Sequence, residues 1–253
     1  MNAKDILRST QHRSFPLPDG PWIMTQVWND LLFAHWPIAP EVLRPLIPAA
    51  LPLDTFDGQC WVGIVPFYMT HLTPRGVPPI PLLSQSAEFN VRTYVVVNGI
   101  PGVYFFSLDA ENVLAVLFAR MFFHLPYFWA TMEVKRKGDT VDYRTRRMHP
   151  GSPPAAFLGS YRPLSPIFEA KPGSLEYWLV ERYCLYTVVS RNEVFRADIQ
   201  HRPWPLQTAE LEIRHNSMAS LQGITLPDTA PLLHFAQRQE VLVWPLHRVT
   251  PGK

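Results

Sequence analysis

Glu88, Asn90, Arg92 and Tyr94 are spaced by two along the run AEFNVRTYVVV that begins at residue 87, so an extended strand would set all four on one face. A carboxylate, an amide, a guanidinium and a phenol in one row can hold an anionic or carbonyl-bearing molecule and move a proton on it. The opposite face, Phe89, Val91, Thr93 and Val95, is mostly apolar. The same alternation also describes an ordinary half-exposed strand with its charges in water, and what separates the two readings is where the strand lies. Val95 to Val97 is an unbroken β-branched run, Asn98-Gly99 is a tight-turn signal, and residues 103–106 are again β-branched and aromatic. The segment is therefore expected to be one arm of a hairpin crossing the middle of a sheet or barrel. There the polar face would look into a cavity, with Glu88 and Arg92 holding each other charged.

The next element has to deliver partners to that face. Val113, Val116, Leu117, Arg120 and Met121 recur at helical spacing behind Asp109, a candidate N-cap, and Glu111, which suits the positive end of the dipole. Pro126 should stop this helix and present Tyr127 just past its end. Arg120 falls on the apolar stripe, either as a paired buried cation or as a boundary residue whose head reaches out to water. His124 could serve Tyr127 as acid or base, although a helix end is also an ordinary place for a histidine. His35-Trp36, Glu181-Arg182-Tyr183 and His201-Arg202-Pro203-Trp204 each set a titrating or charged group against large aromatics. His35, Arg182 and His201 are thus candidate pocket residues, and equally the kind of residue that anchors a loop in a β-protein.

The string ARMFFHLPYFWA at residues 119–130 resembles the segment around the catalytic lysine of acetoacetate decarboxylases, where a helix ending in Gly-Arg-Glu leads to Pro-Lys-Lys. Leu43-Arg44-Pro45-Leu46-Ile47-Pro48 resembles that family's Leu-Arg-x-x-x-Pro, and Glu88 is placed like its strand glutamate. Over roughly residues 32–245 the chain resembles more closely the YqjF-type group of the acetoacetate decarboxylase-like superfamily. The phrases that carry this are EFNVRTYV from residue 88, Leu125-Pro126-Tyr127, Glu181-Arg182-Tyr183 and His201-Arg202-Pro203-Trp204. The resemblance implies a mainly β (α+β) fold, a cone-shaped β-barrel with a few short external helices. It further implies a single domain over residues 1–253, with 1–20 as an extended lead-in.

The resemblance also puts Tyr127 and Phe128 where that family has its two lysines, and a phenol cannot form an imine. The five lysines, Lys4, Lys135, Lys137, Lys171 and Lys253, all lie in polar, loop or terminal contexts, where no burial would depress a pKa. Pro37 stands at the position of the early arginine that anchors the substrate carboxylate. The expectation is a pocket for a small anionic or carbonyl-bearing molecule. Glu88, Tyr127 and His124 are its candidate catalytic residues, and Arg92, Arg120, Asn90, His35, Arg182 and His201 its candidate ligand contacts. Any chemistry there would be that of a lyase, isomerase or hydratase without a Schiff base. The alternative is a non-catalytic ligand-binding or structural barrel.

Composition narrows the remaining classes. A net charge of +2 with scattered basic residues gives no reason to expect nucleic acid as a partner. No metal-ligand spacing, glycine-rich phosphate loop or nucleophile elbow occurs, so no metal or other cofactor is expected. Cys60 and Cys184 stand alone in apolar contexts, which suits buried thiols in a reducing compartment. Residues 1–14 are polar, and the apolar run at 113–119 falls far short of the ~20 residues needed to span a bilayer, so a cytoplasmic protein without a membrane partner is expected. Assembly into a homo-oligomer is left open. With 27 prolines the chain holds about twice the usual ~5% share, which points to long stiff connections. Residues 70–84, expected to be a loop and a natural lid over the Glu88 face, and 152–165, also expected to be a loop, are the longest of these.

Overall fold

The computed structural model describes residues 2–78, 85–189 and 193–252. Twelve strands run in chain order: β1 Met24–Ile38, β2 Cys60–Pro74, β3 Gln85–Val97, β4 Ile100–Ala110, β5 Tyr127–Lys137, β6 Thr140–Arg147, β7 Ala156–Pro163, β8 Cys184–Val189, β9 Glu193–Gln200, β10 Gln207–Asn216, β11 Leu232–Val243 and β12 His247–Val249. Four short α-helices, α1 Ala3–Arg8, α2 Pro40–Leu43, α3 Val113–Phe122 and α4 Leu175–Val180, lie between them. The strands form one sheet in the order β12-β9-β8-β4-β3-β2-β1-β11-β10-β7-β6-β5. Two extra pairings, β9 with β11 and β4 with β5, turn it back on itself. Such closure covers most of the edge that an open sheet of this size would carry, leaving β12, paired with β9, at the margin.

The five strands β4, β3, β2, β1 and β11 belong to both of the circuits so formed, and each of their two faces meets a different core. Leu32, Ala34, Ile64, Phe89, Val91 and Val95 pack on one side with Tyr143, Phe157 and Tyr161. Leu31, Phe33, Val65, Phe67 and Tyr94 pack on the other with Leu179, Trp204 and Ala236. Strand alternation decides which residue goes where, and it sends Glu88, Asn90, Arg92 and Tyr94 to the second side, in register with Phe67, Val65 and Gly63 of β2.

The turn chemistry forms as its residue types dictate. Asn98 and Gly99 both take positive φ at the β3–β4 hairpin, and Gly138 does so between β5 and β6. The β3–β4 ladder is regular from Val97↔Ile100 to Arg92↔Phe105 and again from Val91↔Ser107 to Glu88↔Ala110, with Phe106 as one extra residue between. Pro40 opens α2, and the Ser174 side chain caps α4 by accepting from the Tyr177 amide.

Several expectations need correcting. The cap of α3 is Asn112, whose side chain accepts from the Leu114 and Ala115 amides. Asp109 instead remains in β4, because β4 pairs in parallel with the start of β5 and so runs on to Ala110. The expected buried stripe of α3 is reduced to Val116, while Leu114, Leu117, Phe118, Met121 and Phe122 are exposed. Residues 152–165 hold strand β7, where Phe157, Gly159 and Tyr161 turn inward although proline-rich flanks mask the pattern. The expected loop at 70–84 is strand as far as Pro74, and residues 79–84 lie outside the described residues. Both cysteines are buried and free. No helix among the described residues is long and apolar enough to cross a membrane.

Candidate functional site

Glu88 is buried, 5% exposed, although it is ionisable and no salt bridge joins it to Arg92. The expected Glu88–Arg92 bridge is replaced by neutral partners. The Tyr127 hydroxyl donates to Glu88 Oε2 at 2.8 Å, and the Asn90 side chain also hydrogen-bonds the carboxylate. Tyr127 reaches it because β5 begins beside β4 in parallel, Leu108 opposite Tyr127 and Asn90 opposite Leu108. The Glu88 backbone is pinned in turn by Tyr143, whose hydroxyl donates to the Glu88 carbonyl at 2.8 Å from the opposite core.

Burial pushes the Glu88 carboxyl up to about 7, with the hydrogen bonds from Tyr127 and Asn90 pulling it back and the negative charge of Asp109 adding to the rise. Burial, reinforced by Glu88, holds the Tyr127 phenol well above its ordinary value, so it stays a donor. A carboxyl poised near neutrality between two neutral hydrogen-bonding groups can give or take a proton.

Further along the same face lies a second polar group. The Tyr94 hydroxyl shares a hydrogen bond of 2.7 Å with His35 Nε2 and accepts a long one, 3.5 Å, from Arg92 Nη2. Arg182 stacks over the rings of Trp178 at 4.2 Å and Tyr94 at 4.8 Å, and pairs with Asp54 at 2.5 Å. His35 is held well below its ordinary pKa, first by burial and then by the charge of Arg92, so its ring is neutral.

The structure thus gathers Glu88, Asn90 and Tyr127 at one end of a strand face and Arg92, His35 and Arg182 at the other. It leaves three candidates apart. Arg120 is exposed and donates to the Tyr127 backbone carbonyl at 2.7 Å, the boundary role allowed by its place on the stripe. His124 is exposed, at positive φ, with its ring beside Phe195 and its carbonyl accepting from Thr187. His201 is buried and stacks on Tyr183, its Nδ1 against the Arg202 carbonyl, and burial pushes it down to about 3. Tyr94 completes the group as its place in the row implies, and Trp61 and Gly63 join it unpredicted, their period of two along β2 being the signal that carries them. Two surface hollows, of about 480 Å³ beside Arg13 and Phe15 and about 310 Å³ between β7 and β10, touch none of these residues.

Residues 25–240 match the family DUF2071, described as an uncharacterized conserved protein family. The chain belongs to that family. It is 51% identical over 238 residues to the uncharacterized protein YqjF of Bacillus subtilis (strain 168), covering 94% of this chain and 97% of that one. Three solved structures share the fold at low identity. The enduracididine biosynthesis enzyme MppR complexed with pyruvate aligns at TM-score 0.63 and 10% identity over 94% of each chain. An acetoacetate decarboxylase-like enzyme from Sphingomonas wittichii RW1 aligns at 0.59 and 12%, covering 95% of this chain and 99% of that one. The acetoacetate decarboxylase of Legionella pneumophila aligns at 0.57 and 13%, covering 97% and 95%. The acetoacetate decarboxylase-like fold expected from the sequence is therefore the one found. Every lysine among the described residues is exposed, so none of these brings an amine to the Glu88 face.

Proposed function

We propose that the chain binds a small anionic or carbonyl-bearing molecule against the polar face of β3 and uses Glu88 to move a proton on it, as a lyase, isomerase or hydratase that forms no imine. The observation that carries this reading is the Glu88 carboxyl, buried, near neutrality and free of any cation, with Tyr127 and Asn90 fixing its orientation. Ionised, it is a base for a proton next to a carbonyl; protonated, it is an acid for the resulting enolate. Pyruvate in the MppR complex shows that this fold accommodates an oxo acid in that protein, and a ligand of similar size suits the present reading.

Proton exchange tests it directly. Wild-type protein in D2O should speed loss of the α-proton signals of pyruvate or hydroxyacetone, with a rate that rises through about pH 7 as Glu88 ionises. Glu88→Gln should slow the exchange by ~10²-fold or more, the usual scale of a positioned base. Borohydride added with pyruvate should leave the protein mass unchanged. Exchange that persists in Glu88→Gln, or a reduced adduct on any lysine, would overturn the reading.

A further inference from the structure

Among the buried polar atoms that lack a partner on this face, His35 Nδ1 can donate or accept according to its tautomer, and the others divide by kind. Arg92 Nε, Arg182 Nη2 and Trp61 Nε1 are all buried and unpaired, and all three can only donate. Asn90 Oδ1, also buried and unpaired, can only accept. His35 stands in register with Gly63, and Gly63 with Arg92, while Pro37 and Trp61 form the next pair along. A Cβ on residue 63 would lie 2.8 Å from the His35 ring, so the glycine is what lets that ring and the Arg92 stem stand side by side. Charge is as lopsided as hydrogen bonding. Two guanidiniums share this end, Asp54 pairs with Arg182, and among the described residues Arg92 has no carboxylate within salt-bridge reach. Trp61, Arg92 and Trp178 are each partly exposed, so this end opens to solvent, whereas Asn90, 4% exposed, lies deeper.

We infer that Arg92, Arg182 and Trp61 form an anchor for the carboxylate of a short hydroxy or enol acid, whose hydroxyl Asn90 Oδ1 receives next to Glu88. A carboxylate brings one negative charge, matching the one uncompensated guanidinium, and lone pairs enough for three donors. Alternate residues of a strand are about 6.6 Å apart, so Asn90 and Arg92 together suit an acid of about three to five carbons. The anchor deepens the proposed function, and it rests on that reading only for where the far end of the ligand lies.

The indole N–H of Trp61 is a built-in reporter, assigned in ¹H–¹⁵N spectra by the signal lost in Trp61→Phe. Titration with 3-hydroxybutanoate should move it. The methyl ester, which keeps the hydroxyl and loses the charge, should bind at least ~10-fold more weakly, and Arg92→Gln should weaken the acid by ~10- to 100-fold. Equal binding of acid and ester, no response of Trp61 to the acid, or displacement of the acid by stoichiometric inorganic phosphate would overturn the anchor. The ester comparison uses wild-type protein, so it decides even if a variant fails to fold. Acid binding without Glu88-dependent proton exchange would sink only the proposed function. Glu88-dependent exchange of hydroxyacetone without acid binding would sink only the anchor.

Discussion

Asp109 and Glu88 are both buried carboxylates on one hairpin, and they face opposite cores. Asp109 receives two hydrogen bonds of 2.7 Å from Arg147, whose guanidinium also covers the Phe128 ring at 3.8 Å. Burial lifts its pKa, and Arg147 opposes the rise with both hydrogen bonds and charge. Glu88 is similarly withdrawn from water, with a phenol and an amide in place of a cation. A guanidinium in bidentate contact commits a carboxylate to its charged form and ties two strands, here β4 and β6, together. Neutral donors do neither, and the group they surround keeps both protonation states within reach. Equal burial therefore gives one carboxylate a structural task and leaves the other free to exchange its proton.

The sharpest way to break this contrast is Arg147→Ala, which leaves Asp109 buried without its counter-charge. Urea denaturation should then report a loss of about 3–5 kcal/mol. If stability barely changes, Asp109 is no more committed than Glu88.

A smaller effect should appear with pH. The folded Glu88 pKa of about 7 stands above its ordinary value of 4.5, so the folded protein binds more protons than the unfolded chain between the two. The Glu88 contribution to stability is therefore full below about pH 4.5 and falls away as the pH rises through about 7, on the order of 3 kcal/mol in all and about 2–3 kcal/mol of it between pH 5 and pH 8. Calorimetry at pH 5 and pH 8 should show wild type losing that increment and Glu88→Gln keeping it. A wild-type profile parallel to that of the variant would mean that Glu88 ionises at its ordinary value.

Least in size, Tyr127→Phe removes one donor from the carboxylate and should cost about 1–2 kcal/mol at pH 8, where Glu88 is charged, and less at pH 5. It should also move the Glu88 titration, followed by ¹³C carboxyl shifts, further upward, since the lost hydrogen bond favours the ionised form. A downward move would remove Tyr127 from the site.

The Glu88 face was legible from β3 alone, because a period of two with a turn signal after it leaves little freedom. Local chemistry likewise announced the hairpin at Gly138, the entry of α2 at Pro40 and the cap at Ser174. The contact of Tyr127 with Glu88 was legible only through the family resemblance. It depends on a parallel pairing across α3, and nothing local to residue 127 encodes a partner brought in by such a crossover. The same pairing kept Asp109 from the helix cap that its residue type suggested. In β7 the alternation is real, yet Gly159 interrupts it, and a Cβ there would meet the Glu212 carbonyl of β10 at 2.8 Å. That packing constraint comes from a strand far away in sequence. Arg182 was recognisable as a charged group among aromatics, but its meeting with Arg92 needs β8 and α4 to fold back on the sheet.

The extra residue in the β3–β4 ladder has a result that reaches both carboxylates. Were the register set at Val97↔Ile100 to continue unbroken, Asp109 would stand opposite Glu88, and Arg147 would be stranded on the far side. Two acids would then crowd one dry compartment while a cation lay orphaned in the other. A single uncounted phenylalanine, Phe106, thus sorts these two acids, sending one to each side of the same wall.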